Sequence, residues 1–108
     1  MPFDGALSEV EPVKAAVRKW REMGRLICDN PTLFENSDFA YEHEGETYVC
    51  ALGAVGNELG ESYYKNLRGS AALFTRKLML AHDMLFQARK DGVPNVEEWE
   101  TAFEKLLA

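Results

Sequence analysis

Residues 47–60, TYVCALGAVGNELG, read as a short strand running directly into a helix, and the rest of the chain arranges itself around that junction. Thr47, Tyr48 and Val49 are β-branched or aromatic and follow the turn composition Glu44-Gly45-Glu46, whereas Ala51, Leu52, Ala54, Val55 and Leu59 fall at near-helical spacing. The switch falls at Cys50. Beyond it, Cys50, Gly53, Ala54 and Asn57 recur every three to four residues, so one helix face carries only small side chains and another backbone segment can approach it. Gly53 costs about 1 kcal/mol of helix propensity against Ala, a loss that close packing would offset.

Upstream, Phe39, Tyr41 and His43 alternate with Ala40 and Glu42, which predicts a β-hairpin with residues 47–49 and sets His43 opposite Thr47 or Tyr48. Two strands alone are marginal in water, so the hairpin must lie across helices. Pro12 suits the first turn of a helix whose buried stripe is Val13, Ala16, Val17, Trp20, Met23 or Gly24, and Ile27, with Lys14, Arg18, Arg21, Glu22 and Arg25 on the other side. Asp29-Asn30-Pro31 stops this helix, and Leu33 and Phe34 fold back under it.

Downstream, Gly60 reads as a left-handed cap, and Tyr63, Tyr64 and Leu67 form an apolar connector. Ser70 then caps a helix over about 70–90 that is apolar around most of its circumference, including Leu73, Leu78, Leu80, Met84, Leu85 and Phe86, which predicts burial on several sides. Gly92 ends it. A capping box at residues 95–98 opens a last helix with the stripe Val96, Trp99, Phe103 and Leu106. Trp20, Leu78, Leu85, Trp99 and Phe103 are the expected core anchors. The fold class is α+β, mainly α: a single domain over residues 1–108, with about four helices and one antiparallel hairpin.

Hydrophobic residues make up 46% of 108, with twelve aromatics, which excludes a disordered chain. The first residues have neither a basic region nor an apolar run, and no stretch approaches the roughly 18 apolar residues of a membrane span. A soluble, cytoplasmic protein is expected. Cys28 and Cys50 form no CxxC pair and read as reduced thiols. The net charge of −6 is blocked along the chain: residues 14–25 hold five basic and one acidic, 29–61 eight acidic and none basic, and 65–90 six basic and one acidic. Such blocks either face one another within the fold or create a directional field that attracts a basic partner and repels nucleic acid.

Cys50 at a helix start is the best nucleophile candidate, because a helix N-terminus stabilises a thiolate. Its base would be His43, or His82 oriented by Asp83. A Cys among small apolar residues is, however, ordinarily an inert core thiol. No spacing typical of zinc ligands and no phosphate-cradling glycine loop occurs, so neither metal nor cofactor is expected. Arg18, Lys19, Arg21 and Arg25 give helix 1 a basic face, but overall acidity weighs against nucleic acid.

Residues 48–55, Tyr-Val-Cys-Ala-Leu-Gly-Ala-Val, resemble the Cys-Ala-Leu-Gly-Ala signature of an uncharacterised family of small bacterial and phage proteins. In that family a helix with paired alanines precedes the signature, as Ala15 and Ala16 do here, and an Asn-Asp pair follows, where this chain has His82-Asp83. The resemblance implies a bacterial or phage setting. The resulting expectation is a non-enzymatic, acidic protein-binding module that modulates a host nucleic-acid-handling or defence protein, with a small cysteine-dependent hydrolase or transferase as the alternative. Its expected partner-binding residues are Asp38, Glu42, Glu44 and Glu46, against a basic protein surface, together with Arg18, Arg21 and Arg25. No membrane partner is expected, and a homodimer is compatible with the composition.

Overall fold

A computed structural model describes residues 8–108 of the chain. Helix α1 spans Glu11–Glu22 and is followed by a 3₁₀ turn, Ile27–Asp29. Strands β1 (Ala40–His43) and β2 (Glu46–Val49) form the hairpin, and helices α2 (Ala51–Leu59), α3 (Glu61–Lys65), α4 (Gly69–Asp91) and α5 (Val96–Leu107) complete the described chain. The architecture is therefore mainly α with one antiparallel hairpin, as the patterning predicts. The added helix is the short α3, built from the aromatic connector.

Helix α1 buries Val13, Ala16, Val17 and Trp20, and carries its proline in the first turn. It stops at Glu22, seven residues before the predicted Asp29-Asn30-Pro31 stop, because Gly24 takes a left-handed φ of 73° that other residues avoid. The chain then extends at Leu26, which pairs with Val49 as a single parallel bridge, and the Val49 N–H donates to the Arg25 carbonyl at 3.0 Å. Strand β2 is thus flanked by β1 on one edge and by the α1 exit on the other. Ile27 remains buried, but through the 3₁₀ turn rather than a helical stripe.

In the hairpin, Tyr41 pairs with Tyr48 and His43 with Glu46. The His43 register differs from expectation because the loop is only two residues long: Glu44 and Gly45 both have positive φ, 50° and 79°, as a type I′ turn requires, so Glu46 joins the strand. Phe34 is buried and stacks on Tyr41 with ring centroids 4.8 Å apart, while Tyr48 lies 5.2 Å away on the same hairpin face. Leu33, expected beside it, is exposed.

Cys50 caps α2, accepting the Gly53 N–H at Sγ (3.3 Å), and its own N–H donates to the Phe39 carbonyl (3.3 Å). That carbonyl occupies the space a Gly53 side chain would need, with Val49 Cβ 3.0 Å from the same point. The close approach expected of the small face is therefore made by the backbone entering β1. Gly60 joins α2 to α3 at φ 92°, ψ 148°, so it turns the chain in an extended mirror conformation rather than as a left-handed helical cap.

Helix α4 buries Ala71, Thr75, Leu78, His82, Leu85, Phe86 and Ala88. Its far side is not covered: Leu73 is 61% exposed, Leu80 63% and Met84 40%, against the expected burial on several sides. The other elements reach one side of this long helix only. It begins at Gly69 with no side-chain cap, so Ser70 lies inside it, and it ends as expected in a left-handed Gly92. Helix α5 buries Phe103 and Leu107, but Asn95 makes no side-chain cap bond and Trp99 is only half-buried. No helix among the described residues is long and apolar enough to cross a membrane.

The two central glycines of α2 separate propensity from packing. Gly53→Ala should lower stability by about 2 kcal/mol or more in denaturant unfolding, although Ala is the better helix former, because the neighbouring obstacle is backbone. At Gly56 the nearest atom to an added Cβ is Phe39 Cζ at 2.7 Å, the far end of a ring that is 41% exposed and can move. Gly56→Ala should be neutral to stabilising by about 1 kcal/mol. Equal effects at the two positions would contradict this packing.

Candidate functional site

Three surfaces and one buried cluster hold the side chains with chemistry to offer. The first surface is the acidic hairpin, where Asp38, Glu42, Glu44 and Glu46 are all exposed. Three of them are already engaged: Asp38 accepts the Tyr41 hydroxyl at 2.8 Å, Glu42 accepts Thr47 Oγ1 at 2.6 Å, and Glu46 is ion-paired with Arg25. Glu44, at the turn, stands 4.0 Å from His43 Nε2. Strands held by the Phe34 aromatic cluster thus present the carboxylates on a fixed tip.

The second is the basic face of α1, and it points into the protein's own charge pattern. Arg18 donates to the Leu107 carbonyl at 2.9 Å and lies 3.6 Å from Glu11. Arg21 is 3.7 Å from Asp29 and 3.5 Å from Glu104, and Lys19 is 3.0 Å from Glu58, which also accepts the Trp20 indole N–H at 2.9 Å. Arg25 meets Glu46, so two of the expected partner-binding residues are brought together, though as partners of each other.

The buried cluster centres on His82, which is fully enclosed. Its Nε2 accepts the backbone N–H of Cys28 at 3.0 Å, so in the neutral ring the proton sits on Nδ1, 3.1 Å from Asp83 Oδ1. Ser37 Oγ donates to the same carboxylate oxygen at 2.8 Å and lies 3.3 Å from Nδ1. Ser, His and Asp are therefore adjacent, but both oxygens sit at one ring nitrogen while a main-chain amide occupies the other. A hydrolytic triad needs the serine and the carboxylate on opposite nitrogens. This arrangement instead fixes the ring as a hydrogen-bonding post.

Neither thiol is poised for attack. Burial pushes the Cys28 thiol far above its ordinary range, and the neighbouring Asp29 carboxylate adds to the effect. For Cys50, burial again raises the pKa and outweighs the hydrogen bond from the Gly53 amide, which acts in the opposite direction. The helix N-terminus does act on Cys50, as the sequence suggests, yet desolvation is larger. Among the described residues no three His, Cys, Asp or Glu side chains gather as a metal ion would require.

The third surface lies between α4 and α5 and was not anticipated. Leu80, Ala81, Trp99 and Leu106 line a groove of about 450 Å³ with Lys77 and Lys105 at its rim. The only sequence signal for it is the excess of apolar positions on α4, more than one buried face can hold. Comparison with protein-family models, curated proteins and solved structures finds no match to this chain.

Thiol chemistry checks the buried cluster directly. Native protein at pH 7–8 should react with iodoacetamide at Cys28 and Cys50 at least about a hundredfold more slowly than a free thiol, and both should react fully once unfolded, since only the accessible thiolate is nucleophilic. Rapid alkylation of native Cys50 below pH 8, slowed by replacing His43 or His82, would instead support the cysteine-dependent enzyme.

Proposed function

We propose that this chain is a non-enzymatic protein-binding module that acts by covering a surface of a protein partner. The observation that carries this reading is the outer side of α4, where Leu73, Leu80 and Met84 stand in water on the longest helix. Large apolar side chains grouped in this way cost solubility and mark contact surfaces. The buried cluster supports the same reading, because both His82 nitrogens and the Cys50 sulfur are engaged by the fold itself. The acidic hairpin adds a steering element, with Glu42, Glu44 and Glu46 presented to a basic patch on the partner.

The resemblance of residues 48–55 to the Cys-Ala-Leu-Gly-Ala signature supports a bacterial or phage setting. Within it, a small acidic inhibitor or modulator of a host nucleic-acid-handling or defence protein fits the size and charge. A cytoplasmic location accompanies this proposal.

The test uses the full chain as bait in extracts of the source cell, in three forms: wild type, Leu80→Asp, and Glu42→Gln/Glu44→Gln/Glu46→Gln. A protein retained by the wild type should be lost with Leu80→Asp, while the triple variant should retain it but associate more slowly at low salt. Glu46→Gln alone serves as a control, since losing its half-exposed pair with Arg25 should cost no more than about 1 kcal/mol. Equal retention by all three baits would remove both surfaces from the mechanism.

A further inference from the structure

The exposed apolar residues of α4 are arranged for a particular kind of neighbour. Leu73, Leu80 and Met84 are spaced i, i+7 and i+11, directly opposite the buried side of the helix, and together cover about 16 Å of its length. Arg76 and Lys77 lie on either flank between Leu73 and Leu80, and Lys105 stands across the groove on α5.

These three cations differ from the other basic residues of the described chain. Lys14 donates to the Ala108 carbonyl and Arg18 to that of Leu107, and Lys19, Arg21, Arg25, Lys65 and Arg89 are ion-paired with carboxylates. Lys90 sits over the Phe86 ring, and Arg68 is engaged as well. Among the described residues, only the side chains of Arg76, Lys77 and Lys105 are cations with no hydrogen bond, ion pair or ring contact. In a chain of net charge −6, these three uncommitted cations of the described residues thus stand beside the leucines that α4 exposes.

We infer that the outer side of α4 and its groove with α5 bind an acidic amphipathic helix of a protein partner, about three turns long. The proposal rests on the protein-binding reading and names the chemistry of the bound element. Apolar residues of the incoming helix at i, i+3 and i+7 would cover Leu73, Leu80 and Met84 and fill the groove beside Trp99. Asp or Glu residues flanking that stripe would meet Arg76, Lys77 and Lys105. A second copy of this chain is the less favoured occupant, because two molecules each carrying −6 repel one another.

The probe is a fluorescein-labelled helical peptide of about four turns, with leucines at i, i+3 and i+7 flanked by glutamates, beside a twin in which lysines replace the glutamates. Titrated with the full chain and followed by anisotropy, the acidic peptide should bind saturably and roughly tenfold or more tighter than its basic twin, with the preference shrinking between about 0.05 and 0.5 M salt. Leu80→Asp should weaken binding roughly tenfold, and Lys77→Glu/Lys105→Glu should reverse the preference between the twins. All three altered positions are exposed, and circular dichroism verifies folding of the variants. Equal affinity for the twins, no saturable binding up to about 1 mM, or an unchanged preference in the double variant would overturn the proposal. Sedimentation showing a dimer of the free chain that Leu80→Asp dissolves would overturn it in favour of self-association. Should the acidic peptide fail while Leu80→Asp still releases a cellular partner, the protein-binding reading stands and only the acidic helix falls.

Discussion

Cys28 lies fully buried in the 3₁₀ turn, and both of its main-chain polar groups are met by side chains of a single distant helix. Its N–H donates to His82 Nε2 at 3.0 Å, and its carbonyl accepts from Arg89 at 2.8 Å, two helical turns further along α4. A chain segment that leaves a helix and enters the core cannot satisfy its own backbone, and an unpaired buried amide or carbonyl costs about 1–3 kcal/mol. With both groups satisfied, α1 can end early, Leu26 can run beside β2, and Ile27 and Cys28 can fill the centre of the molecule. Arg89 extends the connection to Asp29 and to Glu100 on α5, so three segments meet around this arginine. Asp83 and Ser37, beyond the ring, hold the histidine in the tautomer this connection requires.

A second constraint positions the hairpin. The Phe39 carbonyl accepts the Cys50 N–H and sits against Gly53, so the start of β1 is anchored on the first turn of α2 at backbone distance. The charge blocks then add registration around these contacts. The basic exit of α1 faces Glu46, Glu58 and Glu104, carboxylates from β2, α2 and α5. Exposed pairs of this kind contribute at most about 1 kcal/mol each, so they select among arrangements that burial of apolar surface drives.

These two constraints also shape what the protein can do. The residues that suggest catalysis in the sequence are occupied as structural parts: the imidazole as an acceptor for a main-chain amide, the Cys50 thiol as a helix cap within the core. What faces water is an acidic hairpin tip held by stacked aromatics and a long helix with leucines and uncommitted cations on its outer side. Under the proposed binding role, their opposite charges would orient a partner.

The strand-to-helix switch at Cys50, the α1 stripe, the hairpin and the left-handed Gly92 were legible in the sequence, because each depends on spacing within a few residues: alternation, helical periodicity, and glycine where φ is positive. The need for a small side chain at Gly53 was legible too, though not the Phe39 carbonyl that imposes it. The early end of α1, the half-exposed Trp99 and the open outer side of α4 were not. Each depends on which surfaces other segments reach, and a helix apolar on nearly all sides has the same sequence pattern whether neighbours surround it or leave one face bare. The fate of the charges and of His82 was likewise a matter of tertiary structure. A residue type states what hydrogen bonds and ion pairs a side chain can make, but the partners here lie up to 94 residues away along the chain, and only folding brings them within reach.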